Sequence, residues 1–230
     1  MHIPENSPAY ERLNDLKKRY RSFIAGVRQC DPDSPDLYSI GRLLELKNMA
    51  TAINNAMTLL TTLTFARQIA DSFSLSEEEN TFLLQSIENQ KTNSSGFDIK
   101  TSIGEHHLLA IIKCMKGIHD DGSFGATQKN FILNDARKLC IKGEKIFNTT
   151  DFLKIIVLLE TEDQETGGIT DSLPKEIAYD SNEEKNRKAE IKEFSYRENL
   201  SGITDKSPVY IIRMPGEEID MKILYGDTGV

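Results

Sequence analysis

Three of the four histidines fall in one short stretch, from Glu105-His106-His107 to His119-Asp120-Asp121, with Cys114 between them. Imidazole nitrogens and carboxylates together suit many divalent metals, provided that several elements bring them to one point. A thiol beside an imidazole offers a second chemistry, nucleophilic attack, and that requires a cation or a helix N-terminus to depress the thiol pKa.

On those residues the stretch resembles the metal-dependent phosphohydrolases that use a histidine, a later His-Asp pair and a distal aspartate on a helical scaffold. The resemblance implies a metal-dependent hydrolase using His106, His107 and His119. In that family the first histidine and the His-Asp pair lie on separate helices, whereas His119 follows His107 by only twelve positions, and Gly122 and Gly125 put His119 in or beside a loop. The plainer reading sets His106 and His107 in the first turn of a helix and His119-Asp120 in a loop cap.

Cys114 and Cys140 fall toward the C-terminal ends of expected helices, where the dipole opposes a thiolate, so both read as packing residues. Asp120-Asp121-Gly122 cannot be extended into a calcium loop, and Thr166-Gly167-Gly168-Ile169-Thr170 lacks the lysine of a phosphate loop. The sequence therefore assigns no catalytic residue, no cofactor and no metal site.

The elements that would position any site are expected to be mainly helical. The longest runs from Ser34 to Ser72, and its middle, Asn48 to Ala66, carries no charge. Leu43, Leu46, Ala50, Ile53, Met57 and Leu60 recur at alternating three- and four-residue steps, which stacks them on one side of a helix. Met49, Ala52, Ala56, Leu59, Leu63, Ala66 and Ala70 form a second row, so the apolar surface exceeds a one-sided stripe and predicts a central helix covered by several neighbours. Three Asn and five Thr among the nineteen uncharged residues make lipid exposure costly and argue against a membrane span. From this polar side Thr51, Asn54, Asn55, Thr58 and Thr62 are the candidate interaction surface, because small side chains let another helix approach closely.

Around it, Ser7-Pro8 opens a helix over about 8–29, Ser76 to Glu79 caps one over about 77–91, and Ser102-x-x-Glu105 caps one that should stop at Gly117. Thr127 to Lys142 reads as a helix ended by Gly143. Phe152 to Leu159 reads first as a core helix, with its β-branched Ile155, Ile156 and Val157 keeping a buried strand as the alternative. Ser181 to about Asn199 reads as a charged, weakly docked helix, with Phe194 and Tyr196 among its few anchors. Val209 to Met214 and Ile219 to Tyr225, around Pro215-Gly216, read as a β-hairpin.

These elements give an antiparallel bundle of about five to six helices over 7–160, a charged linker and exposed helix over 161–206, and a hairpin over 207–230 that could begin a further domain. The formal charge of −8 repels a phosphate backbone and argues against nucleic acid. Lys17, Lys18, Arg19 and Arg21 read as the wet side of the first helix. Three cysteines without a CxxC pair fit reduced thiols, and Met1 to Asn6 lacks the basic start and apolar run of a secretory signal, so a cytoplasmic protein is expected. The leading functional expectation is a protein-protein interaction module without chemistry of its own, binding a protein partner or itself. The composition also fits a bacterial effector in a host cytosol. The alternative is an accessory domain or fragment of an enzyme, the hydrolase above.

Overall fold

A computed structural model describes residues 7–28, 39–89, 96–103, 106–115, 124–160 and 194–219. Among them are four helices, α1 (Pro8–Arg28), α2 (Ile40–Ser72), α3 (Glu77–Asn89) and α4 (Ala126–Phe147). There are also five strands, β1 (Ile99–Ile103), β2 (His106–Lys113), β3 (Leu153–Glu160), β4 (Phe194–Arg197) and β5 (Val209–Pro215). The expected helical bundle is thereby overturned in favour of a mixed α/β fold.

The chain divides into two compact units, one of residues 1–60 with 220–230 and the other of residues 61–219, so α2 contributes its first part to the first unit and its last part to the second. The first unit holds α1 and the opening of α2. Gly26 lies so close to Arg42 that a Cβ there would meet the guanidinium at 3.4 Å. Ser7 caps α1 by accepting a bond from the Tyr10 N–H at 3.2 Å.

The second unit is built on one sheet of order β1-β2-β3-β5-β4. β1 and β2 are antiparallel, while β2, β3, β5 and β4 run parallel to their neighbours. β2, α4 and β3 make a crossover unit, the usual way to join parallel strands. Leu109, Ile111, Ile156, Leu158, Val209 and Ile211 form one apolar face with Ile132, Ala136 and Leu139 of α4. The alternate residues Leu108, Ala110, Ile112, Ile155, Val157, Tyr210 and Ile212 are buried as well. On that second face Thr61 Oγ1 lies 3.6 Å from Cys114 Sγ, and the Phe73 and His106 rings, tilted to each other, have centroids 5.2 Å apart, so the end of α2 runs antiparallel along β2. α3 packs over β1.

Two-sided burial explains where the helical reading failed. Leu108 to Ile112 is a continuous apolar run and Phe152 to Leu159 one broken only by Lys154, patterns which a central parallel strand needs and which also contain i, i+3, i+4 spacings by chance. The expected helix over 102–117 is β1 followed by β2, with Ser102 bonded to His107 across the strand pair at 2.8 Å instead of capping a helix. The expected core helix over 152–159 is β3. Phe194 to Arg197 is a strand rather than part of a charged helix, Glu198 and Asn199 follow it in a bend, and residues 181–193 lie outside the described residues. Of the expected hairpin, the first strand is β5, which pairs with β3 on one side and β4 on the other. Of its second strand, 219–225, only Ile219 is described, and it follows a single 3-10 turn over Gly216–Glu218.

The helix reading succeeded where caps and length agreed. Ser76 and Glu79 form the capping box of α3: the Ser76 N–H and hydroxyl donate to the Glu79 carboxylate at 2.9 and 2.8 Å, and Ser76 Oγ accepts from the Glu79 N–H at 3.3 Å. Those bonds, the backbone one foremost, hold the Glu79 carboxyl below its usual pKa. α4 does not stop at Gly143 but runs on to a left-handed Asn148. Gly143 is buried because a Cβ there would meet the Phe152 ring at 2.3 Å and Leu109 at 3.0 Å.

Phe152 cannot move aside easily, being itself buried and wedged between Phe147 at 5.6 Å and the Lys154 ammonium at 4.6 Å. Gly143→Ala gains up to about 1 kcal/mol of helix propensity, yet overpacking costs about 1–3 kcal/mol. Urea unfolding of this variant is expected to show a net loss of stability; an unchanged or higher midpoint would mean that the ring yields.

Candidate functional site

The histidine-cysteine stretch does not converge. His106 and His107 open β2, whereas Cys114 follows its far end, about 25 Å away at the rise of an extended strand. His107 Nδ1 pairs with the Ser102 hydroxyl and its ring stacks on Phe147 at 4.8 Å, while His106 packs against Phe73. His119 lies outside the described residues. Among those described, no group of three or more His, Cys, Asp or Glu is placed to hold a metal ion.

Two polar clusters flank the sheet beneath α4. At the carboxyl end of β2, Lys113 pairs with Asp135 of α4 at 2.6 Å, and the Lys138 ammonium lies 5.3 Å over the Phe97 ring. Asp98 accepts the Ile112 N–H at 2.8 Å and so prolongs the β1-β2 ladder with a side chain. Burial raises the Asp98 pKa above its ordinary value, opposed by that bond and by Lys113. The spacing of these groups serves packing: each charge meets a fixed partner.

At the amino end, Lys154 is the single charged residue inside the apolar run of β3, and it is only 7% exposed. Its ammonium donates to the Phe152 carbonyl at 3.2 Å and to the Lys206 carbonyl. Lys206 in turn pairs with Asp151 at 2.9 Å, and the Tyr210 hydroxyl donates to the Asp205 carbonyl at 2.7 Å. Burial lowers the Lys154 pKa, the effect being countered by the nearby Cys140, Asp205 and Asp151. With two carbonyls on its ammonium, Lys154 pins the turn before β5 to the start of β3, a role that a lone lysine in an apolar run could have signalled in the sequence.

Cys140 packs against this core from α4, and burial pushes its thiol up to about 11, with Lys154 pulling the other way. A thiol so shifted is protonated at neutral pH, which agrees with the packing role expected for it.

The helical surface named from the sequence is divided. Thr51, Asn54 and Asn55 are exposed and Thr58 is half-buried, all within the first unit, whereas Thr62 is only 3% exposed and belongs to the second. Covering of the uncharged stretch is complete from Leu60 to Ala66, every one of which is buried, and only partial before it, where Met49 is buried and Ala52, Ala56 and Leu59 are half-buried. There the row of three- and four-residue steps faces water: Leu43 and Leu46 are each 51% exposed, Met57 is 36% exposed, Ala50 is exposed and Ile53 half-buried. Ile40 and Leu44 widen the patch and are also exposed. Phe82 and Phe131 are exposed elsewhere, singly, as surface apolar residues often are. No helix among the described residues is long and apolar enough to cross a membrane.

The thiol shift sets a direct measurement. Relative to the ordinary value of 9.0, a pKa of about 11 leaves about 100-fold less thiolate at pH 8. Peptide mapping after brief iodoacetamide treatment should therefore show native Cys140 alkylated at least about 100-fold more slowly than in urea-unfolded chain. Equal rates would place the thiol in a different environment. Comparison with known proteins finds no family model, no curated protein and no solved structure that matches this chain.

Proposed function

We propose that the chain is a protein-binding module without chemistry of its own, docking partners on the water-facing side of α2 between Ile40 and Met57. The observation that carries this reading is the exposed row Leu43, Leu46, Ala50 and Met57. Isolated apolar residues on a surface mean little, but several in register along one helix are what a helix-in-groove or helix-on-helix contact uses. Thr51, Asn54 and Asn55 border the row as a hydrogen-bonding rim that loses less on desolvation than Lys or Glu would. The carbonyl-bound Lys154, which ties the turn before β5 to β3, and the half-buried Cys140, packed against the core, support the same reading.

A photo-cross-linking amino acid placed at Leu46 of the full chain, in its own cells, tests the reading. The control position is Lys100, exposed on β1. Discrete protein adducts at Leu46 that are absent at Lys100 are expected. Equal or absent adducts at the two positions would refute the docking surface.

A further inference from the structure

We infer that the first unit lies against an anionic lipid bilayer, held by the cationic second half of α1 and by the apolar opening of α2. Ile40 and Leu44 lie beside the row of Leu46, Ala50 and Met57 on the helix circumference, so this contact is distinct from the protein docking row.

Charge is spread unevenly along the chain. Residues 61–219 hold 19 basic and 27 acidic residues, which accounts for the whole formal charge of −8. From Leu16 to Arg28, by contrast, five basic residues stand without an acidic one. Helical spacing sets Lys17 and Arg21 along one edge of the apolar stripe of α1, Arg12 and Arg19 along the other, and Glu11 and Asp15 on the opposite side. This is how a helix lies in the plane of a bilayer interface: the methylene stems at the borders cover apolar surface while their charges reach lipid phosphates. Arg19 also pairs with Asp15 at 2.9 Å, an exposed i,i+4 contact that adds little to stability.

The apolar side of α1 loses its cover toward this cationic end. Ala9 and Leu13 are buried, Leu16, Phe23 and Ile24 are half-buried, and Tyr20 is 46% exposed. A Cβ on Gly26 would meet the Arg42 guanidinium, so the basic end of α1 adjoins the start of α2. There Ile40 is 78% and Leu44 54% exposed. Cations and uncovered aliphatic side chains therefore share one end of the unit. A nucleic acid would use the cations and leave those side chains in water. An acidic protein that wraps a basic amphipathic helix needs it free on all sides, and burial of Ala9 and Leu13 holds α1 to its own chain. A bilayer approaches from one side and takes up both kinds of group at once.

Co-sedimentation of the full chain with large unilamellar vesicles tests this, comparing pure phosphatidylcholine with phosphatidylcholine carrying about 30 mol % phosphatidylserine. Binding to the anionic vesicles is expected to be at least about tenfold tighter, and to be lost in about 1 M salt, where the screening length is about 3 Å. Each cation near such a surface is worth about fivefold in affinity, so R19S/R21S should weaken anionic binding at least about tenfold. I40S/L44S should weaken it at every salt concentration, because insertion and not charge is removed. All four positions are exposed, and circular dichroism should show an unchanged fold.

Binding to neither vesicle, or equally to both, would overturn the lipid contact and leave Leu46 adducts to decide the protein docking row by themselves. Anionic binding that R19S/R21S leaves intact would equally overturn it. Capture on polyglutamate or duplex DNA without vesicle binding would overturn it in favour of a polyanion.

Discussion

The strands β2, β3 and β5 are apolar on both faces, and that single constraint shapes the second unit. A sheet with one dry face can end its core there, but a sheet dry on both sides needs a cover on each. α4 supplies one cover, as the crossover between β2 and β3. The second half of α2 lies along β2 on the other side, and α3 sits over β1. The lone lysine in this core is tolerated because two backbone carbonyls and an aromatic face receive its charge.

The same constraint decides which parts of the architecture could be read from residues alone. Helices α1, α2, α3 and α4 were legible because each had length, a periodic face and, for α1 and α3, an N-terminal serine or capping box. The sheet was not. Strands buried on one face alternate and announce themselves, but Leu108–Ile112 and Leu153–Leu159 do not alternate, and β-branched residues were the only local hint. β5 was recognised as extended, but its pairing with β3 and β4 was not foreseen, since Pro215-Gly216 suggested a hairpin. Its true partners, β3 and β4, come from far along the chain or across a wide loop, and pairing of that kind leaves no short-range trace. For the candidate surface, the heptad spacing of α2 was plain in the sequence, but its exposure was not. Polar threonines suggested an open face where Thr61 and Thr62 are in fact covered, and leucines suggested a covered one where Leu43 and Leu46 are open. Spacing says which residues share a side; only the neighbours decide which side is wet.

α2 therefore contains two environments within one continuous helix. From Leu60 to Ala66 every residue is buried, and small or uncharged polar side chains make that possible without an unpaired charge. From Ile40 to Met57, where Arg42, Glu45 and Lys47 carry charge, Leu43, Leu46 and Met57 lie against water. It is this contrast that makes the first half the most informative surface of the chain.

The order of strands across the sheet carries a consequence for how the polypeptide matures on the ribosome. β2, α4 and β3 emerge in succession and can assemble at once, but β3 then presents a bare, apolar edge until β5, some fifty residues later in the chain, arrives to fill the gap beside β4. Such distant pairing is slow relative to helix formation, and an unfilled parallel edge is the kind of template that captures a neighbouring nascent strand. The interval between synthesis of β3 and docking of β5 is thus the moment at which this chain most needs a chaperone's attention.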